Sequence, residues 1–464
     1  DHEILLWRML STEGPRIVKG DVNGDQREDF VLLGAKDDED KLFVQQAGGT
    51  FRRKPSEGLA MGKSFESSSG AFLDADKDGD LDLMLASGGN EYLEGGQHFI
   101  LRYFENDGDG NLTPGSRNAP QLVGNFSCLE TADFNNDGST DLFLGGRCVP
   151  GNYGLPPRSF LMSRQGGTWV DVTPQALAGI GMVTDAAWAD VDGDQDQDLV
   201  VVGEWMGIHV FRNQNNGAFY DTEIPNSRGW WNRVEAADLD GDGDTDFVLG
   251  NWGLNSKLQA SEDRPLSLYV NDFDQNNKSE FILNWYAPLD SQAYPFATKN
   301  ELTKQLPQLR KQILKYEDYA RQTYENLFPA QLRQQALEYR ATYLESAVLW
   351  NDNGEFTLEA LPREAQIAPA FAITVDDFDD DGQQDIWLGG NFYGLKPQVG
   401  RHDASRGTLL LGKGERKFEA LSPAEAGIYV EGEVRDAVLI DNGQSRLMLV
   451  ARNNEELLVF RKKE

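Results

Sequence analysis

The chain is short of the residues that most often carry chemistry. Its 464 residues include two cysteines and four histidines. His2, His98, His209 and His402 form no zinc-type spacing with Cys128 and Cys148. No G-x-S-x-G elbow and no phosphate-binding loop occurs. No run of 18 apolar residues exists, which excludes a membrane-spanning helix. Positive charge is also scarce. Against 76 Asp and Glu stand 43 Lys and Arg, a formal net charge of −33. No basic stripe is available to neutralise phosphates, so nucleic acid is disfavoured as a partner. No signal peptide leads the sequence and position 1 is Asp, which reads as a mature or trimmed chain. Cys128 and Cys148 flank one hairpin, either as a cross-strand disulfide or as two buried thiols.

The acidic residues that remain are not spread evenly. DLDGDGDTD (238–246) puts five carboxylates within nine residues, just before an apolar strand. Such crowding makes sense around a cation. Calcium takes six to eight oxygen ligands in a flexible shell. In D-x-D-x-D-G-x-x-D, positions 1, 3 and 5 give side-chain oxygens, position 7 its carbonyl, and position 9 closes the shell. Glycine at position 6 permits the left-handed backbone of a sharp turn.

The pattern occurs seven times. The ligand sets are Asp21, Asn23, Asp25, Arg27 and Asp29; Asp74, Asp76, Asp78, Asp80 and Asp82; Asp133, Asn135, Asp137, Ser139 and Asp141; Asp190, Asp192, Asp194, Asp196 and Asp198; Asp238, Asp240, Asp242, Asp244 and Asp246; Asp272, Asp274, Asn276, Lys278 and Glu280; and Asp377, Asp379, Asp381, Gln383 and Asp385. Up to seven calcium ions are expected. Gln26, Gln195 and Asn277 replace glycine at position 6, and the 272 loop is expected to be the weakest site. Loops of this ligand type bind extracellular calcium at roughly 10⁻⁴–10⁻³ M, so an extracellular, periplasmic or outer-membrane surface location follows.

Around each loop the order repeats: strand, acidic loop, strand, then a hairpin of N-x-G-x-F flavour, as in HVFRNQNNGAFYDT (209–222) and AVLWNDNGEFTLEAL (347–361). Four short antiparallel strands per repeat describe an all-β fold, a β-propeller over residues 1–464. Seven blades are favoured, with the 272 loop inside the fifth and an extra hairpin at 347–361. Eight blades follow if that loop begins its own. Ile4-Leu5-Leu6-Trp7 is expected to supply the fourth strand of the last blade and so close the ring. Residues 299–345 read as a helical insertion, because Leu302, Leu306, Leu309, Ile313, Tyr316 and Ala320 make one apolar stripe. Pro307 and Pro329 mark helix starts.

The Asp-rich loops followed by strands such as FVLG resemble the FG-GAP or VCBS repeats of integrin-type propellers. The strings STEGPRIVKGDVNGD, FLGGRCVPGNYGLPPRSF, GMVTDAAWADVDGD and GNWGLNSK resemble bacterial VCBS-repeat proteins, often encoded with an ASPIC/UnbV segment. The resemblance implies a secreted, surface or adhesion-like protein and a chain that forms part of a longer polypeptide or complex. The calcium is read as structural, because shells filled by protein oxygens leave little room for substrate.

The first functional reading is a binding or adhesion module for a glycan or protein. The second is a glycan hydrolase or lyase with the helices as lid, and the third is a structural module of a larger surface protein. The acidic loops occupy one face of the disc. The other face is expected to display Asn90, Glu91, Tyr92, Arg147, Tyr153, Glu204, Trp205, Trp230, Trp231, Asn251, Trp252, Asn255, Asn391 and Tyr393. Aromatic faces beside hydrogen-bonding groups suit sugar rings or extended peptides.

Overall fold

The computed structural model describes residues 3–92, 96–214, 217–288, 290–443 and 445–462. Each acidic loop of the ring turns an antiparallel hairpin, and the apolar run after it becomes the second strand of a blade. Blade 1 comprises β1 (Ile17–Gly20), β2 (Asp29–Leu32), β3 (Lys41–Gln45) and β4 (Phe51–Lys54). Blade 2 comprises β5 (Ser67–Leu73), β6 (Asp82–Ser87), β7 (Arg102–Glu105) and β8 (Thr113–Gly115). Blade 3 comprises β9 (Phe126–Ala132), β10 (Asp141–Gly146), β11 (Phe160–Gln165) and β12 (Thr168–Asp171). Blade 4 comprises β13 (Met182–Ala189), β14 (Asp198–Met206), β15 (His209–Gln214) and β16 (Ala218–Glu223), with β17 (Gly229–Trp230) added on β14. Blade 5 begins with β18 (Arg233–Ala237) and β19 (Asp246–Gly250).

An inserted sheet follows, made of β20 (Leu266–Asn271), β21 (Glu280–Tyr286), β22 (Ala293–Pro295) and β23 (Leu337–Ala341) in the order β22-β21-β20-β23. Blade 5 then resumes with β24 (Ala347–Asp352) and β25 (Glu355–Ala360). Blade 6 comprises β26 (Ala370–Asp376), β27 (Asp385–Gly390), β28 (Thr408–Gly412) and β29 (Phe418–Leu421). Blade 7 holds three strands among the described residues, β30 (Val434–Asp441), β31 (Arg446–Arg452) and β32 (Leu458–Arg461).

The inner strands β1, β5, β9, β13, β18, β26 and β30 pack side by side, and β30 meets β1 to complete a ring of seven. The Ile17 amide donates to Asp436 (2.9 Å) and Lys19 Nζ to the Leu439 carbonyl (2.9 Å) across that junction. Second strands are buried on both faces because each lies between two neighbouring blades. β14, buried at all nine positions, is the extreme case, which explains its unbroken Leu-Val-Val-Val run.

Three expectations need correction. The 347–361 hairpin is not an extra element: it forms the third and fourth strands of blade 5. The insertion is therefore larger than 299–345, and it contains a sheet as well as helix. Its helical part is a chain of short pieces, Lys299–Gln305, Pro307–Lys311, Tyr316–Tyr319, Tyr324–Leu327 and Ala330–Gln335. Leu302, Leu306, Leu309 and Ile313 are buried, whereas Tyr316 is exposed. The stripe breaks where the helix does.

The third correction concerns the N-terminal segment. Residues 4–7 turn rather than extend and do not join β32. Leu5, Leu6 and Trp7 are consecutive and all buried. A strand, whose side chains alternate between faces, cannot bury consecutive residues against one surface. The segment instead crosses the ring on the side away from the acidic loops. Trp7 stacks on Trp230 at 4.3 Å and meets Trp252 edge-on at 4.9 Å. The Met9 amide donates to the Gly394 carbonyl (2.7 Å) and the Lys396 amide to that of Trp7 (3.1 Å). The inserted sheet and helices share this apolar core through Leu268, Val270, Phe281 and Leu302. Trp7→Ala should therefore cost about 3–5 kcal/mol. The readout is the urea denaturation midpoint, and an unshifted midpoint would show the segment to be only loosely attached.

Candidate metal loops and the opposite face

The seven loops share one backbone geometry. The amide at position 6 donates to the position 1 carboxylate in every loop, from 2.7 Å at Gln26 to Asp21 up to 3.2 Å at Gly79 to Asp74. The amide at position 7 donates to the position 5 side chain in every loop, as from Asp244 to Asp242 (2.9 Å). Position 6 is left-handed throughout, including Gln26 (φ 65°), Gln195 (φ 72°) and Asn277 (φ 65°). Position 4 is left-handed as well, from Asn136 (φ 55°) to Gly241 (φ 78°). Sequence reasoning missed position 4. Only the glycine at that position in three of the seven loops, Gly24, Gly193 and Gly241, hinted at it.

In five loops three carboxylates bring one oxygen each within 4.8 Å of one another: Asp74, Asp76 and Asp78; Asp190, Asp192 and Asp194; Asp238, Asp240 and Asp246; Asp272, Asp274 and Glu280; and Asp377, Asp379 and Asp385. In the loops at 21 and 133 the third position is an amide, Asn23 or Asn135. Asp80 Oδ1, Asp141 Oδ2, Asp192 Oδ1, Asp274 Oδ1 and Glu280 Oε1 are buried oxygens without a hydrogen-bond donor. Orphaned acceptors among crowded carboxylates fit a hard cation, and an all-oxygen donor set is what such ions take.

The position 9 carboxylate has a second duty. Asp29, Asp82, Asp141, Asp198, Asp246 and Asp385 are fully buried. Asp246 accepts from the Leu239 amide (3.1 Å) at position 2 of its loop and from the Asn351 amide (2.9 Å) at the end of β24. Asp29, Asp82, Asp198 and Asp385 repeat that pair of contacts. Burial, followed by neighbouring loop carboxylates, pushes Asp29, Asp141, Asp198 and Asp246 up to about 6 and Glu280 up to about 7. The asparagine ending a third strand braces two blades. Asn351 Nδ2 donates to Thr245 O of its own loop (3.2 Å) and to Val191 O of the preceding blade (2.9 Å). Asn106 and Asn213 do the same.

The opposite face is not the open surface expected from the sequence. Trp205, Trp230, Trp231 and Trp252 are buried, the first at 1% exposure and the others at 0%. Tyr153, Asn90, Arg147, Glu204, Asn251 and Asn391 are buried too. Their partners are internal. Arg147 pairs with Glu13 (2.6 Å) and Glu204 (2.8 Å), and Arg8 adds 3.0 Å to Glu204. Asn90 Nδ2 donates to Glu3 (2.9 Å) and Trp205 Nε1 to the Tyr153 hydroxyl (2.8 Å). Asn251 donates to Tyr343 O, and Asn391 to the Ser405 and Gly432 carbonyls. These groups hold the N-terminal segment and the insertion in place, which is the physical reason the ligand reading fails for them. Glu91, Tyr92 and Tyr393 are half-buried and Asn255 is exposed. Tyr92 stacks on His98 at 3.8 Å, and the Arg401 guanidinium lies 3.6 Å from the Tyr393 ring centre. Cys128 and Cys148 are free, buried thiols.

A family model of the FG-GAP-like repeat matches residues 21–85, 74–144 and 190–249, covering five of the acidic loops. The chain carries FG-GAP-like repeats. The match concerns the repeats alone and shows no association with an ASPIC/UnbV segment. No curated protein matches the sequence. Among solved structures the chain is similar to the V. cholerae biofilm matrix protein Bap1 (11% identity over 98% of this chain and 88% of that one, TM-score 0.37). It is also similar to Saccharomyces cerevisiae Sqt1 (12% identity, 100% of both chains, TM-score 0.45) and to the exotype rhamnogalacturonan lyase YesX (11% identity, 97% and 72%, TM-score 0.42). Among the described residues, no helix of this FG-GAP-repeat propeller is long and apolar enough to cross a membrane.

Two predictions separate the duties of the loop carboxylates. Asp246→Asn should destabilise the fold even in chelator, because an amide that replaces a buried acceptor leaves a donor misplaced, at a cost of about 1–3 kcal/mol. Asp242→Asn should not lower the chelated melt and should raise it slightly, because it removes a like charge beside Asp246 and an amide oxygen can still accept from the Asp244 amide. Equal melts for both variants in chelator would refute the distinction. The second prediction concerns pH. Carboxyls raised from 3.8 to about 6 in the fold contribute stability present below pH 3.8 and lost as pH rises through 6. In chelator the protein should melt at a higher temperature at pH 5 than at pH 7.5, and the reverse order would contradict the electrostatics described.

Proposed function

We propose that this FG-GAP-repeat propeller is a calcium-stabilised binding or scaffold module that works outside the cytosol. Up to seven ions occupy the loops, and the ligand is a surface protein or glycan. The observation that carries the calcium part is the recurrence of one loop geometry seven times, with buried orphan oxygens at positions 3, 7 and 9. Calcium would supply charge neutralisation there. The chain's own part is to hold each cage open through the position 6 and position 7 amides.

The affinity of such loops, roughly 10⁻⁴–10⁻³ M, matches free calcium outside cells and not in the cytosol. The ion is structural in this reading, because the position 9 carboxylate ties each ring loop into the third strand of its blade. A rigid disc whose far face is sealed by its own N-terminal segment suits holding or displaying partners. Any partner would engage the rims, the loop face or the outer strands.

Exhaustive chelation should lower the melting temperature by roughly ten degrees or more, and millimolar calcium should restore it. At millimolar calcium, about one to ten times such a Kd, each site contributes about 0.4–1.4 kcal/mol, which seven sites multiply. An unchanged melt would refute calcium. On glycan and surface-protein panels, calcium-loaded protein should bind and chelated protein should not. New reducing ends or unsaturated sugars among the glycans would instead identify an enzyme.

A further inference from the structure

We propose that Arg416, on the turn between β28 and β29, is a built-in counter-cation for the acidic loop of the neighbouring blade 5, and that it makes the 238–246 loop fill at higher calcium than the otherwise equal 74–82 loop. The inference rests on the calcium reading and names the residue that tunes it at one site.

The two loops are alike in every ligand. Both carry Asp at positions 1, 3, 5, 7 and 9, and both carry left-handed Gly at position 6, Gly79 and Gly243. The donor set alone predicts equal affinity. Their surroundings differ. Arg416 Nε lies 2.8 Å from Asp240 Oδ2 at position 3, and Nη2 lies 3.9 Å from Asp242 Oδ2 at position 5. The same guanidinium forks onto the two oxygens of Asp352 at 2.5 and 3.1 Å. It also lies 5.0 Å from the Trp350 ring centre. Among the described residues, no Lys or Arg pairs with the aspartates of 74–82. Lys77, inside that loop, donates instead to Ser139 Oγ of the blade 3 loop (2.8 Å).

The arginine arrives on a turn unlike its counterparts. The β28–β29 turn reads Lys413-Gly414-Glu415-Arg416-Lys417. The segments that join third to fourth strands in blades 1 to 5, residues 46–50, 106–112, 166–167, 215–217 and 353–354, contain no Lys or Arg. Glu415 and Arg416 are left-handed (φ 49° and 59°), an uncommon backbone for such residues. Lys413 of the same turn lies 3.9 Å from Asp379 and Asp381 of its own blade's loop.

Two effects follow. In the empty loop the guanidinium offsets the repulsion among the aspartates and fastens the blade 6 hairpin to blade 5. An entering divalent ion meets a fixed positive charge and must take Asp240 from it, which weakens binding. Asp352 and Trp350 hold the guanidinium on blade 5 in either case.

Hydrogen exchange against free calcium, on the full chain after chelation, follows the loops separately. Protection of 238–246 should reach its midpoint at about fivefold higher calcium than protection of 74–82, the upper range for one partly exposed ion pair. Arg416→Gln, which keeps a planar hydrogen-bonding end without the charge, should lower the 238–246 midpoint by about the same factor. It should leave the 74–82 midpoint where it is. Arg416→Lys, which keeps the charge, should stay near the wild-type value. The order of midpoints in the wild type needs no variant, so a poorly folded Arg416→Gln leaves the test in force. Equal wild-type midpoints, or a 238–246 midpoint unmoved by Arg416→Gln, would overturn the proposal. A midpoint raised by that variant would show Arg416 orienting Asp240 for the ion and overturn it as well. These outcomes leave the calcium reading standing, because 74–82 still responds. A 74–82 loop that calcium never protects would overturn both.

Discussion

A buried carboxylate at the ninth position of each ring loop is the element on which the rest of the blade geometry depends. It faces the crowded acids of its own turn on one side and the backbone of the third strand on the other. In blade 5, Asp246 joins the Leu239 amide to the Asn351 amide. Asn351 then reaches Val191 O in blade 4. One side chain thus connects the loop, the blade and the seam to the neighbouring blade. Hydrogen bonds to a charged group contribute about 1.5–3 kcal/mol each, so repetition around the ring makes this a major share of its stability. The same arrangement explains why the loops are acidic at all. A carboxylate that must be buried to anchor a strand is held in its ionised form by a cation far better than by the other acids of its turn.

The repeated loops were legible in the sequence because their spacing is rigid. A nine-residue turn with fixed left-handed positions tolerates few substitutions, and each copy announces itself. The fold class followed from them. What was not legible is how the chain spends the residues between repeats. The 272 loop carries the same signature as the others, yet it turns a sheet outside the ring. The departures at Asn276, Asn277 and Glu280 bear on metal affinity and do not mark the loop as lying outside the ring, since the ring is a long-range property. The 347–361 hairpin looked surplus for the same reason: its partner β19 lies about a hundred residues earlier in the chain.

The N-terminal segment and the far face were misread together. Leu5-Leu6-Trp7 has the apolar content of a strand but not its alternation. Trp230-Trp231 has the content of a sugar platform, but both rings are buried, Trp230 against Trp7, Trp205 and Trp252 and Trp231 against Tyr343. Arg147, Glu204, Asn90 and Tyr153 lie around the N-terminal segment. Their partners are Glu3, Arg8 and Glu13 of the same chain. Burial cannot be inferred from composition when the covering segment comes from the opposite end of the sequence. The signal that was available is the consecutive apolar run, which fits a buried crossing and not an edge strand.

Sevenfold repetition does not make the ring uniform. Blade 7 has lost its acidic loop, retaining Asp441-Asn442-Gly443, in which the Gly443 amide donates to Asp441 (2.7 Å). It has no position 9 carboxylate to draw its third strand inward, and that strand is the most exposed of its kind. Where a loop anchors the third strand, as Asp385 does through the Gly412 amide in β28, that strand is buried at all five positions. In β32, without such a carboxylate, Val459 and Arg461 are exposed. Loop carboxylate and third-strand burial therefore vary together between these two blades.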